Sequence, residues 1–88
     1  MKTIHDIEQL EEAMRSIGFD LIQNEGGTMD SGVATFKKEG KEIRIIKDRS
    51  QWMFSTARNE LEPLGFFHAY NSTEEFKRDL LAYATHKK

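Results

Sequence analysis

The chain contains no cysteine and only one proline. Lack of cysteine excludes a disulfide framework and a thiolate metal site. It also suits a reducing compartment, so a cytoplasmic location is expected. Apolar runs are short everywhere. None approaches the ~20 residues that span a bilayer, so no membrane association is expected. The opening segment is amphipathic rather than continuously apolar, and no signal peptide is expected. Motifs for chemistry are missing too. There is no Gly-x-Ser-x-Gly, and no Gly-Lys-Ser or Gly-Lys-Thr follows the one glycine-rich stretch.

What is present suffices for one small core. The 88 residues are 38% hydrophobic and include six Phe and one Trp. That predicts a single domain over residues 1–88, ordered rather than disordered. The net charge is only −2, but it is unevenly spread. Residues 1–30 carry two basic and seven acidic side chains, whereas residues 31–58 carry seven basic and three acidic. An acidic helix beside a basic sheet can pair within the domain, or the basic part can face an acidic partner.

Ile4, Ile7, Leu10, Met14 and Ile17 recur at steps of three and four, which predicts a helix over 4–17. Thr3 is its expected cap, and acids crowd its first half. Gly18 is placed for a left-handed stop, with Phe19 folding back onto Met14. A second helix is predicted over 73–85, capped by Ser72 with Glu75 completing a capping box. Its apolar stripe is Phe76, Leu80, Leu81, Tyr83 and Ala84.

Between them the spacing predicts strands at 19–25, 33–38, 41–47 and 52–57. The composition of 26–32 predicts a loop. Glu39-Gly40 reads as a two-residue hairpin turn, which sets Lys38 opposite Lys41, Phe36 opposite Ile43 and Ala34 opposite Ile45. Lys37 then meets Glu42, a favourable cross-strand pair. A turn over 48–51 sets Lys47 opposite Trp52, Ile45 opposite Phe54 and Ile43 opposite Thr56. Ala34, Phe36, Ile43, Ile45, Trp52 and Phe54 therefore share one face, the expected core side. The other face holds Val33, Thr35, Lys37, Glu42, Arg44, Ile46, Met53, Ser55 and Ala57. Within it Val33, Ile46 and Met53 fall in one row, an apolar patch at one end of a polar sheet.

Residues 58–70 resist assignment. Glu62-Pro63 disfavours helix at Glu62, and Leu64-Gly65 reads as a turn. Residues 66–70 fit a short extra strand or an aromatic loop sealing the core. Such a loop would also be placed to wrap the sheet edge and cover the apolar row.

Each candidate for chemistry has a simpler structural explanation. His5, His68 and His86 show no pair at the spacing of a helical metal site. Asp48-Arg49 falls in a turn, where Asp is common for backbone reasons. Trp52 and Phe54 lie with Ile43 and Ile45, so packing explains them better than base stacking. No metal, no cofactor and no enzymatic activity are expected.

Helix, three strands, helix is an order that resembles, in topology alone, the double-stranded-RNA-binding domains. That resemblance implies a lysine cluster at the start of the second helix, gripping phosphates. Here Ser72-Thr73-Glu74-Glu75 stands there, with Lys77 and Arg78 a turn later. In size and style the chain is also similar to small phage-type inhibitors, including some anti-CRISPR proteins, with no shared motif. The expectation is an α+β domain: a three- or four-stranded antiparallel sheet with the N-terminal and C-terminal helices on one face. The expected function is a non-enzymatic protein-interaction module, regulatory or inhibitory, acting on a protein partner or on itself as a homodimer. Its expected site is the open sheet face, with Val33, Ile46 and Met53 as anchors and Lys37 and Arg44 as polar contacts. The alternative is nucleic-acid binding through Lys37, Lys41, Arg44, Lys47, Arg49 and Arg58.

Overall fold

A computed structural model describes residues 7–26, 31–49, 51–56 and 58–85. Helix α1 spans Ile7–Arg15 and buries Ile7, Leu10 and Met14, three members of the predicted stripe. The expected cap Thr3, together with Ile4 and His5, lies outside the described residues. The helix stops as its glycine requires. Gly18 adopts φ +95°, a left-handed value that glycine tolerates without a Cβ clash. The Gly18 amide donates to Arg15 O at 3.0 Å and the Phe19 amide to Met14 O at 3.0 Å. These two bonds form a Schellman stop. They bring Phe19 back beside Met14, and both side chains are buried.

Strands β1 (Asp20–Gly26), β2 (Gly32–Lys38), β3 (Lys41–Asp48) and β4 (Gln51–Phe54) form one antiparallel sheet in chain order. Both predicted two-residue turns hold their registers. Lys38 faces Lys41, Phe36 faces Ile43, and Ala34 faces Ile45. Lys47 faces Trp52, and Ile45 faces Phe54. Strand β4 ends at Phe54, short of the expected pairing of Thr56 with Ile43. Past that end, the Ser55 amide still donates to Arg44 O at 2.8 Å. The six residues assigned to the core face are all buried.

Direct opposition of Lys38 and Lys41 is unfavourable on charge grounds. The fold separates the two cations. Lys38 Nζ donates to Ile17 O at 2.8 Å, just past the end of α1. Lys41 Nζ donates to Tyr83 O at 3.3 Å and lies 4.7 Å from the Tyr83 ring centre. Tyr83 is in the last turn of helix α3 (Thr73–Ala84). Each lysine therefore meets the negative end of a helix.

Helix α3 starts at its predicted cap. Ser72 is extended, and its side chain accepts the Glu75 amide at 3.3 Å. Phe76, Leu80 and Tyr83 are buried, while Leu81 and Ala84 pack against the core at its margin. Phe76 stacks on Trp52, ring centres 5.4 Å apart and 6° from parallel.

Residues 58–70 differ from expectation. Arg58–Leu64 is a helix, α2, with Pro63 inside it. Proline disfavours a helical residue before it, yet here it falls one residue from the helix end, where a single intrahelical bond is lost. Burial of Leu61 and an Arg58 to Glu62 pair at 3.0 Å favour the helix. Gly65, at φ +78°, repeats the stop of α1. Its amide bonds Glu62 O at 3.0 Å, and the Phe66 amide bonds Leu61 O at 3.1 Å. Tyr70 then makes an antiparallel bridge to Trp52, two bonds of 2.8 Å beside β4. Thus the loop does seal the core, after about two turns of helix. Tyr70 Oη donates to Asp79 Oδ2 at 2.7 Å, and Tyr83 Oη donates to Glu60 Oε2 at 3.2 Å. Among the described residues no buried side-chain nitrogen or oxygen lacks a partner.

Candidate interaction surface

The helices lie on one face of the sheet, and the other carries no element among the described residues. Three rows of side chains order this open face. Val33 pairs with Ile46, and Ile46 with Met53, so the predicted apolar row exists across β2, β3 and β4. All three are half-buried. The next row holds Thr35 and Arg44, which are cross-strand partners. Beyond it Lys37 faces Glu42, both exposed. Side chains on one face recur every second residue, roughly 6.7 Å along a strand. Arg44 is therefore one row from the apolar anchors. Lys37 is two rows away, too far to share a contact with Met53.

Strand β1 adds what the sequence reading missed. Its register shifts between Leu21 and Gln23, a β-bulge with Ile22 as the extra residue. Leu21 pairs with Phe36 on the core side. After the bulge Gln23 pairs with Thr35, and Glu25 with Val33, both on the open side. Strict alternation would have sent Gln23 and Glu25 to the same face as Leu21. A signal was there: apolar Phe19 and Leu21 are followed at the same spacing by polar Gln23 and Glu25.

The bulge completes a hydrogen-bonded chain across three strands. Arg44 Nε donates to Thr35 Oγ1 at 3.4 Å, Thr35 Oγ1 to Gln23 Oε1 at 2.7 Å, and Gln23 Nε2 to Glu25 Oε2 at 2.6 Å. Thr35 is only 2% exposed although no described helix covers it. Its neighbours Gln23 and Arg44 screen it. The polar middle of the face is held in place before any partner arrives.

The apolar row is neither bare nor sealed. Beyond β4 the chain turns back, and Arg58 and Phe67 form a groove with Ile46, Met53, Phe54 and Thr56. The Arg58 guanidinium lies 5.3 Å from the Phe67 ring centre. At the other end Val33 and Ile46 border a second depression with Glu25, Gly32 and Asp48.

The six basic residues of the nucleic-acid alternative do not form one surface. Lys41 is engaged at the end of α3. Lys47 is 4% exposed and lies 4.9 Å from the Trp52 ring centre, on the helix side. Arg49 is in the β3–β4 turn at φ 61°, and Arg58 pairs with Glu62. Lys37 and Arg44 share the open face, and Arg58 borders it at the β4 edge.

His68 is exposed, with its ring 4.0 Å from that of Tyr70. His5 and His86 lie outside the described residues. Among the described residues no cluster of three or more His, Asp and Glu could hold a metal. No described helix is long and apolar enough to cross a membrane. No protein family, curated protein or solved structure matches this chain.

Proposed function

We propose that this domain is a non-enzymatic protein-interaction module that docks a protein partner on its open sheet face, in a regulatory or inhibitory role. The observation that carries this reading is the row of Val33, Ile46 and Met53 on a face that no described helix covers, beside a polar chain already satisfied. Half-buried apolar groups next to an arginine are a common interface composition. A second copy of the chain is one such partner. Area sets the scale: four strands spaced ~4.8 Å give a face of roughly 400 Å². A standard interface covers about 800 Å² on each partner, so a flat contact on the row alone is weak and transient. A tighter partner has to reach past the sheet edge.

Nucleic-acid binding fits less well, because the cations it needs point to different surfaces. Salt separates the two readings: phosphate binding falls steeply with salt, and apolar docking does not.

The test is Ile46→Lys. The variant is expected to fold as a monomer and to lose self-association by sedimentation, or to lose capture of the partner that the unaltered protein retains. A folded variant with unchanged mass and unchanged capture would falsify the reading.

A further inference from the structure

The sheet face alone is too small for a standard interface, and a groove at the β4 edge extends it. Ile46, Met53 and Phe67 give it an apolar lining, Thr56 and Arg58 its polar rim, and Phe54 and Ser55 border it. It holds about 380 Å³ and opens to solvent. That is at the low end of small-ligand sites and suits an inserted side chain better than an enclosed molecule. It is continuous with the apolar row, because Ile46 and Met53 belong to both.

Among the residues that line the groove the one charge is that of Arg58. The Arg58 side chain is 69% exposed. Its bond to Glu62 uses Nε, one of five donor hydrogens, so a carboxylate can bind the Nη pair without breaking it. Arg44 lies one row from Met53, and its carbonyl accepts the Ser55 amide beside the groove. The acid of the apolar row, Glu25, is three strands from Met53, roughly 14 Å away. Asp48 lies one row from Ile46 and Met53, on the side away from Arg44 and outside the groove lining, and Glu62 is matched by Arg58 itself.

We propose that this groove is the anchor pocket of the docking surface, and that it takes an aromatic or branched apolar side chain from a partner segment carrying a carboxylate beside it. The proposal rests on the open-face reading and names the chemistry of the partner. Phe67 and Met53 supply the adaptable apolar walls, and methionine accommodates more than one side-chain shape. Arg58 selects the acid by a charge-assisted bond, while its planar group packs over Phe67.

The test uses three blocked tetrapeptides, Gly-Phe-Asp-Gly and its Phe-Asn and Phe-Lys counterparts, titrated into the labelled protein and followed by amide NMR shifts. The Phe-Asp peptide is expected to bind with a dissociation constant on the order of millimolar and to shift Met53, Thr56 and Phe67. The Phe-Asn peptide should bind several-fold more weakly, and the Phe-Lys peptide weakest. In Arg58→Gln, with its fold checked by circular dichroism, the ratio between Phe-Asp and Phe-Asn should fall to near one. Equal binding of the three peptides, shifts confined to the Val33 end, no binding at all, or an unchanged ratio in Arg58→Gln overturns the proposal. Failure of the wider reading has its own signature, since Ile46→Lys would then leave mass and partner capture intact. If only the anchor is misassigned, Ile46→Lys still abolishes capture while Arg58→Gln leaves it unaltered.

Discussion

The two faces of this sheet are made from the same four strands and are stabilised differently. On the helix side Phe36, Ile43, Ile45 and Trp52 have no exposed surface, and stability comes from apolar burial and aromatic packing. Even its lysines serve that side: Lys38 and Lys41 reach helix ends, and Lys47 lies over Trp52. The open face depends instead on a chain of side-chain hydrogen bonds beside one short apolar row. Neighbouring positions along β3 thus belong to different physical regimes. The same substitution one residue apart separates folding from docking.

The largest effect expected is from Ile45→Lys. Ile45 has no exposed surface, and a cation there replaces core packing with an unpaired charge. The expected cost is several kcal/mol, enough to abolish a cooperative urea transition. Ile46→Lys, one residue on, should cost about 1 kcal/mol or less by the same measurement. Equal losses would erase the distinction between the faces.

The tyrosine contacts on the helix side come next. Burial first, then the hydrogen bond to Asp79, push the Tyr70 hydroxyl well above its ordinary value near 10. Burial and the nearby Glu60 carboxylate push Tyr83 up to about 12. Both folded values exceed the unfolded one, so the folded state favours the protonated phenols. Their stabilisation is complete below pH 10 and is lost above it, for Tyr83 between pH 10 and about 12. Tyr70→Phe should cost ~1–3 kcal/mol at pH 7. The double variant with Tyr83→Phe should flatten the fall of the urea midpoint between pH 9 and pH 12, scanned at constant ionic strength. An unchanged slope would show that neither phenol carries the alkaline transition.

A smaller effect is expected where the hairpin meets the helix ends. Lys41→Met keeps the apolar stem and removes the charge that bonds Tyr83 O, at a cost of ~0.5–1 kcal/mol. Added salt should narrow the gap from the unaltered protein in thermal melts.

The smallest stability change is expected from Thr35→Val on the open face. It removes the hydroxyl that accepts from Arg44 and donates to Gln23, at about 1 kcal/mol or less. Arg44 and Gln23 should then show faster side-chain NMR relaxation while the core methyls stay unchanged. Relaxation changes in the core would mean that the two faces are coupled.

How much was legible depended on whether a local rule decided the matter. The turns at Glu39-Gly40 and 48–51 fix register by counting, so the row of Val33, Ile46 and Met53 could be found from sequence. Ser72 and Gly18 marked helix ends through backbone chemistry that needs no tertiary partner. Helix α2 was not legible, because the rule against helix before Pro63 is local, whereas the burial of Leu61 is not. Gln23 and Glu25 were missed for a related reason: the bulge depends on how β1 meets β2. Nor could the sequence show whether the row was covered, since that turns on where Phe67 comes to rest.

The bulge at Ile22 makes the outer strand sensitive to length in a particular way. That residue, 54% exposed, contributes little packing of its own. Its effect is on parity. With Ile22 looped out, Leu21 faces inward and Gln23 outward although they stand two positions apart. Deleting it would make them neighbours, and plain alternation would keep Leu21 opposite Phe36, Gln23 opposite Thr35 and Glu25 opposite Val33. Only the bulge would go. Removing Asn24 instead would put Gln23 and Glu25 on opposite sides of the sheet. The outer strand is therefore tolerant of a lost residue at the bulge and intolerant of one two positions further on.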